Sequence, residues 1–220
     1  MGVAQRKRHD PRREATRAAL IEAAETMFAE AGVEGVSTRQ IAAAIGSSNN
    51  NVISYHFGSK EDLIEAIYRH RLPQIDARRH KLLQEADAAG RGHDLAPLMR
   101  ALWLPLFEQT NEAGQHSYAC FLASLGRLGM SDTRYLVSPD FPETTRVADR
   151  IAMLLPGEVA SQFDIRMRAV ASMIFTTLQL IDREALGNSA EAERMFGDAI
   201  AMATAAIAAP ASSDPALARN

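Results

Sequence analysis

Apolar residues in this chain recur three and four positions apart almost from end to end, and runs alternating apolar with polar are nearly absent. That period belongs to helices, and no Asn-Gly or Asp-Gly hairpin turn interrupts it, so the expected fold is all-α. With 220 residues and 47% hydrophobic content, the chain can bury a sizeable core. A membrane span needs roughly 20 apolar residues. The longest candidate, 169–181, is broken by Ser172, Thr176, Thr177 and Gln179. The basic N-terminus has no apolar segment behind it, and Cys120 stands alone, so neither a secretory signal nor an internal disulfide is expected; the expected compartment is the cytoplasm.

Start and stop signals are densest in the first 63 residues. Helix 1 can begin at Asp10 with Pro11 in its first turn, carry the stripe Leu20, Ile21, Ala24, Met27, Phe28 and Ala31, and end at Gly32. Ser37 followed by Gln40 forms a capping box, with Val36 placed to pack on Ile41, so a short helix from about Thr38 to Ile45 ends at Gly46. Ser48 can cap a third short helix, and Ser59, with Glu61 and Asp62 behind it, a fourth. Two short helices around a glycine form the helix-turn-helix pattern.

On a helical wheel Asn49, Val52, Ile53 and His56 fall on one side of the third helix, and Ser47, Asn51, Ser54 and Tyr55 on the other, with Asn50 at the edge. Asn can pair with the N6 and N7 edge of adenine, and hydroxyls read bases less selectively. A plain solvated face would more often carry Glu, Lys or Gln, because three successive Asn lower helix propensity. Charge agrees with a reading function. Residues 1–60 hold eight cations and six anions, the rest of the chain 16 and 21, and five cations cluster at Arg6, Lys7, Arg8, Arg12 and Arg13. A basic arm on an acidic body suits contact with a polyanion at one end.

Three motifs here also carry a resemblance: F-x-E-x-G closing helix 1, S-T-x-x-I-A opening helix 2, and H-F-x-S-K-E leading into helix 4. From about Thr16 to Leu63 the chain resembles the DNA-binding domain of the TetR (tetracycline-repressor-like) transcriptional regulators. The resemblance implies phosphate contacts from Thr38, Arg39, Tyr55 and Lys60, a double-stranded DNA operator as partner, a homodimer joined by the last two long helices, and a small effector bound in the body. One departure stands out. Gly46 to Phe57 spans eleven steps where the commonest family pattern has ten, so the usual phosphate-contacting Tyr position falls on Ser54 and Tyr55 is displaced by one. The register among Asn49, Asn50 and Asn51 stays open. The expected DNA-contacting set is Arg12, Arg13, Thr38, Arg39, Ser47, Ser48, Asn50, Asn51, Ser54, Tyr55, His56 and Lys60.

Residues 1–60 are expected to form the reading domain with its arm, residues 61–209 a helical effector-binding and dimerisation domain, and residues 210–220 a Pro/Ser-rich disordered tail. A kink or break is expected at Pro73, an interruption at Pro105, and one helix across 158–186. Apolar residues circle the helix around 164–184, and the last helix has an Ala-rich apolar face; Met173, Leu180, Met195, Phe196, Ile200, Ala203 and Ile207 are the expected dimer contacts. Any pocket would draw on Trp103, Phe107, Tyr118, Phe121, Met130, Met173 and Phe175, and the few charges near Trp103 favour an apolar or aromatic effector.

No Walker loop, G-x-G-x-x-G, G-x-S-x-G or H-E-x-x-H motif occurs. His70 and His80 sit between cations, which opposes a divalent metal, and Cys120 lies in an apolar run that suits a packed thiol. No catalytic residue, cofactor or metal is therefore expected. Three readings remain: a ligand-responsive repressor, a DNA-binding regulator without an effector, and a helical enzyme with an incidental N-terminal likeness.

Overall fold

A computed structural model describes residues 10–127, 137–187 and 189–211, in which ten helices and no strand occur. The first four are α1 (Pro11–Gly35), α2 (Thr38–Ala44), α3 (Val52–His56) and α4 (Lys60–Ala88). Asp10 caps α1 by accepting the Arg12 N–H. Gly32 leaves helical geometry at φ 75°, ψ 160°, so the regular part of α1 ends where the sequence places its stop. The expected capping box of Ser37 with Gln40 forms, and the Ser59 cap proves to be a second one, closed by Asp62. Leu20, Ile21, Ala24 and Phe28 of α1 are buried with Ile41, Ile53, Leu63 and Ile67 in a cluster that continues into the body.

The remaining helices are α5 (Leu95–Phe107), α6 (Ser117–Arg127), α7 (Glu143–Leu154), α8 (Gly157–Ala160), α9 (Phe163–Arg183) and α10 (Ala190–Ala208). The body packs α4 on α5 and α7, α10 on α5 and α9, and α6 on α9; α6 also lies along α1, tying the N-terminal unit to the body. Tyr68 of α4, Tyr118 and Phe121 of α6, and Phe28 of α1 form the aromatic part of that seam.

Four expectations about elements need correction. Pro73 does not break α4, and Pro105 lies inside an unbroken α5: tertiary packing along both helices outweighs the backbone bond each proline removes. The expected 158–186 helix is two elements, interrupted at Ser161–Gln162. Of the expected dimer contacts, Phe196, Ala203 and Ile207 are almost wholly enclosed in the chain's own core, because α10 turns that face onto α5 and α9. Met173, Leu180, Met195 and Ile200 are half-buried. The N-terminal arm through residue 9, Met130, and the tail beyond residue 211 lie outside the described residues.

Candidate nucleic-acid interface

The turn between α2 and α3 is built in two steps. Gly46 (φ 72°) and Ser47 close α2: the Gly46 N–H reaches the Ala43 carbonyl at 2.9 Å and the Ser47 N–H the Ala42 carbonyl at 3.0 Å, the double bond pattern that only a left-handed residue permits. Side chains then wind the next four residues. Ser47 Oγ accepts the Asn49 N–H at 3.2 Å, and Asn49 Oδ1 accepts the Asn51 N–H at 2.9 Å.

The SSNN residues therefore belong to the turn, and α3 begins only at Val52. The expectation that Ser48 caps α3 is corrected here: Asn51 occupies the cap position and makes no side-chain cap bond. The extra residue is absorbed before the helix starts, which leaves α3 free to bury Val52 and Ile53 while Asn51, Ser54 and Tyr55 face outward. Tyr55 is 65% exposed, unusual for a large aromatic ring. Ser48 and Asn50 are also exposed.

Cations from α1 reach across to this helix. The Arg13 guanidinium lies 5.3 Å from the Tyr55 ring centre, and that of Arg17 lies 5.0 Å from Phe57. Tyr55 and His56 meet edge to face at 5.0 Å. Arg17 was missing from the expected set, although its position four residues after Arg13 places both on one face of α1. Burial, then the two arginines, hold the His56 ring below its ordinary pKa, while Glu14 opposes them; its Nδ1 is buried with no hydrogen-bond partner. Arg12 and Arg39 are exposed, and Thr38 is half-buried in the first turn of α2.

Lys60 departs from expectation. Its ammonium donates to the carbonyls of Val33 and Val36, the latter at 2.5 Å, and lies 5.4 Å from the Phe28 ring centre. Two of its three donors are thus spent inside the domain, tying α4 to the end of α1 and leaving one for any phosphate.

The expected pocket residues divide among separate ring contacts. Trp103 meets Phe175 edge-on at 6.2 Å, Phe107 stacks on Phe196 at 4.8 Å, and Tyr118 and Phe121 belong to the seam with α1 and α4. Burial pushes the Cys120 thiol up to about 11, which keeps it protonated at neutral pH. Among the described residues no group of three or more acidic, His or Cys side chains could hold a metal ion, and no helix is long and apolar enough to cross a membrane.

Residues 20–67 match the family model of the tetR family of bacterial regulatory proteins. The match begins inside α1 and ends inside α4, and so spans the helix-turn-helix just described. No curated protein matches the chain. A capped three-helix core, an exposed polar helix beside stacked arginines, and a family match over those same residues agree with one another: residues 20–67 are similar to the DNA-binding domain of the tetR family, and the chain is a DNA-binding transcriptional regulator.

Proposed function

We propose that the protein is a ligand-responsive repressor, working in the cytoplasm, that binds a palindromic operator as a homodimer. The observation that carries the reading is the outward edge of the α2–α3 unit. There Asn50, Asn51, Ser54 and Tyr55 stand clear of the core beside Arg13, as base-reading amides flanked by a cation would. Phosphate contacts are assigned to Arg12, Arg13, Thr38, Arg39 and Tyr55.

Two-fold pairing is supported by the face that α9 and α10 leave open. Ile165 is 70% and Met202 54% exposed, and exposed small residues stand at helical spacing from them: Ala169 and Ser172 on α9, and Ala205 on α10. Small side chains let a second pair of helices approach closely, and an isologous contact doubles each apolar gain. An apolar or aromatic effector near Trp103 and Phe175 is supported by the indole N–H of Trp103, which is buried without a partner. A ligand carrying an acceptor oxygen would relieve that deficit. Moving the DNA-binding equilibrium from 1:99 to 99:1 takes about 5.5 kcal/mol of differential binding.

The test begins with duplexes captured by the purified protein from a randomised library. They should share a two-fold repeat whose half-sites lie a whole helical turn or its multiple apart. Capture of one asymmetric half-site overturns the dimeric reading. Trp103 is the one tryptophan, so a panel of aromatic compounds should quench its fluorescence and release those duplexes at matching concentrations. Quenching without release favours a regulator that takes no effector.

A further inference from the structure

Two adjacent residues where α6 begins join helices that serve different parts of the molecule. His116, with no exposed surface, has Nδ1 2.6 Å from Asp182 Oδ1 on α9, and its backbone N–H donates to Asp182 Oδ2 at 2.9 Å. Its Nε2 lies 3.1 Å from the carbonyl of Phe107, the last residue of α5. Carbonyl and carboxylate oxygens accept only, so each ring nitrogen faces an acceptor. Ser117, 5% exposed, points the other way: its Oγ donates to Glu25 of α1 at 2.5 Å. Glu25 is 1% exposed and takes a two-pronged pair from Arg71 of α4, at 2.7 and 2.8 Å.

We propose that His116 and Ser117 form a positioning joint for operator binding, fixing α1 of the reading domain relative to α9. The inference rests on the proposed dimer. If α9 lies in a two-fold interface, the spacing between two reading domains is set along one path, from α1 through Glu25, Ser117, His116 and Asp182 to α9 and across to the partner. Buried charges resist withdrawal of their partners, so this path favours one geometry rather than a range. An apolar seam alone would allow more sliding, because burial carries no direction. Neither residue touches DNA; both act through the placement of the helices that do.

The joint predicts a loss of spacing discrimination ahead of any loss of reading. The probes are a duplex selected by the wild-type protein, the same duplex with one half-site scrambled, and versions with one to three base pairs inserted between half-sites. Wild type should bind the intact duplex at least a hundredfold more tightly than the scrambled one and reject the insertions. Asp182→Asn and the milder Ser117→Ala should keep helical content, dimerisation and scrambled-duplex affinity. They should bind the intact duplex about tenfold or more weakly and accept insertions within threefold of it. Variants that keep the wild-type spacing preference overturn the joint, as do variants whose affinity for all duplexes falls in parallel, the outcome of a merely structural role. A wild type that does not separate intact from scrambled duplex overturns the dimeric reading, and the joint with it.

Discussion

The Lys60 ammonium lies between carbonyls belonging to Val33 and Val36, two residues almost without exposed surface. Hydrogen bonds to a charged donor are worth about 1.5–3 kcal/mol each, and an orphaned buried carbonyl costs about as much. Lys60→Met should therefore lower unfolding free energy by about 2–3 kcal/mol in urea titration, while the salt dependence of DNA affinity stays near wild type. A salt slope that falls by about one with stability unchanged would return Lys60 to the phosphate backbone. His56 makes a second prediction at this scale. Its folded pKa is depressed below 6.5 by burial and by Arg13 and Arg17, so the unfolded chain binds the proton more readily. The stability associated with the neutral ring is fully present above 6.5 and is lost as pH falls through the depressed value. His56→Gln should flatten that acid decline, read from urea midpoints between about pH 5 and 7.5.

At the scale of elements, the α2–α3 turn commits the Asn49 side chain to bracing and leaves that of Asn51 free for the proposed reading. The amide oxygen of Asn49 is committed to the Asn51 N–H, whereas the exposed Asn51 side chain caps nothing. Asn49→Ala should cost about 0.5–1.5 kcal/mol of stability by loosening the turn. Asn51→Ala should leave stability alone and reduce preference for selected over random duplex by the equivalent of about 1–3 kcal/mol, the usual worth of a bidentate base contact. Urea titration and competition binding on both variants test the division of labour. Equal effects of the two substitutions on specificity would place Asn49 among the readers. The start of α3 was not legible in the sequence because Ser47 and Asn49 compete for the same backbone N–H groups that a helix would use. Their short polar side chains favour the turn, and only burial of Val52 and Ile53 decides where helix begins.

For the whole molecule, the proposed dimer is tested at the open face of α9 and α10. Met202 is 54% exposed and is not a member of the enclosed core, so a charge there should spare folding and penalise pairing. Met202→Glu should run as a monomer by light scattering at concentrations where wild type is dimeric, keep its melting temperature within a few degrees, and retain affinity for a single half-site. A dimer unchanged by this substitution would move the interface elsewhere.

What the sequence by itself determined was local: the all-helical class, the stops at Gly32 and Gly46, the capping box at Ser37 and the cap at Ser59, and the helix-turn-helix they enclose. Each depends on residues within about four positions of one another, where propensity and capping act without help from the rest of the chain. Tertiary structure alone decided which apolar face of α10 is spent inside the chain, where the Lys60 ammonium goes, and which aromatic rings meet. It also brought His116 to Asp182, 66 positions away, and Ser117 to Glu25, 92 positions away. An amphipathic helix states that one face must be covered but not what covers it, and that choice rests on contacts among distant residues that only the packed helices bring together.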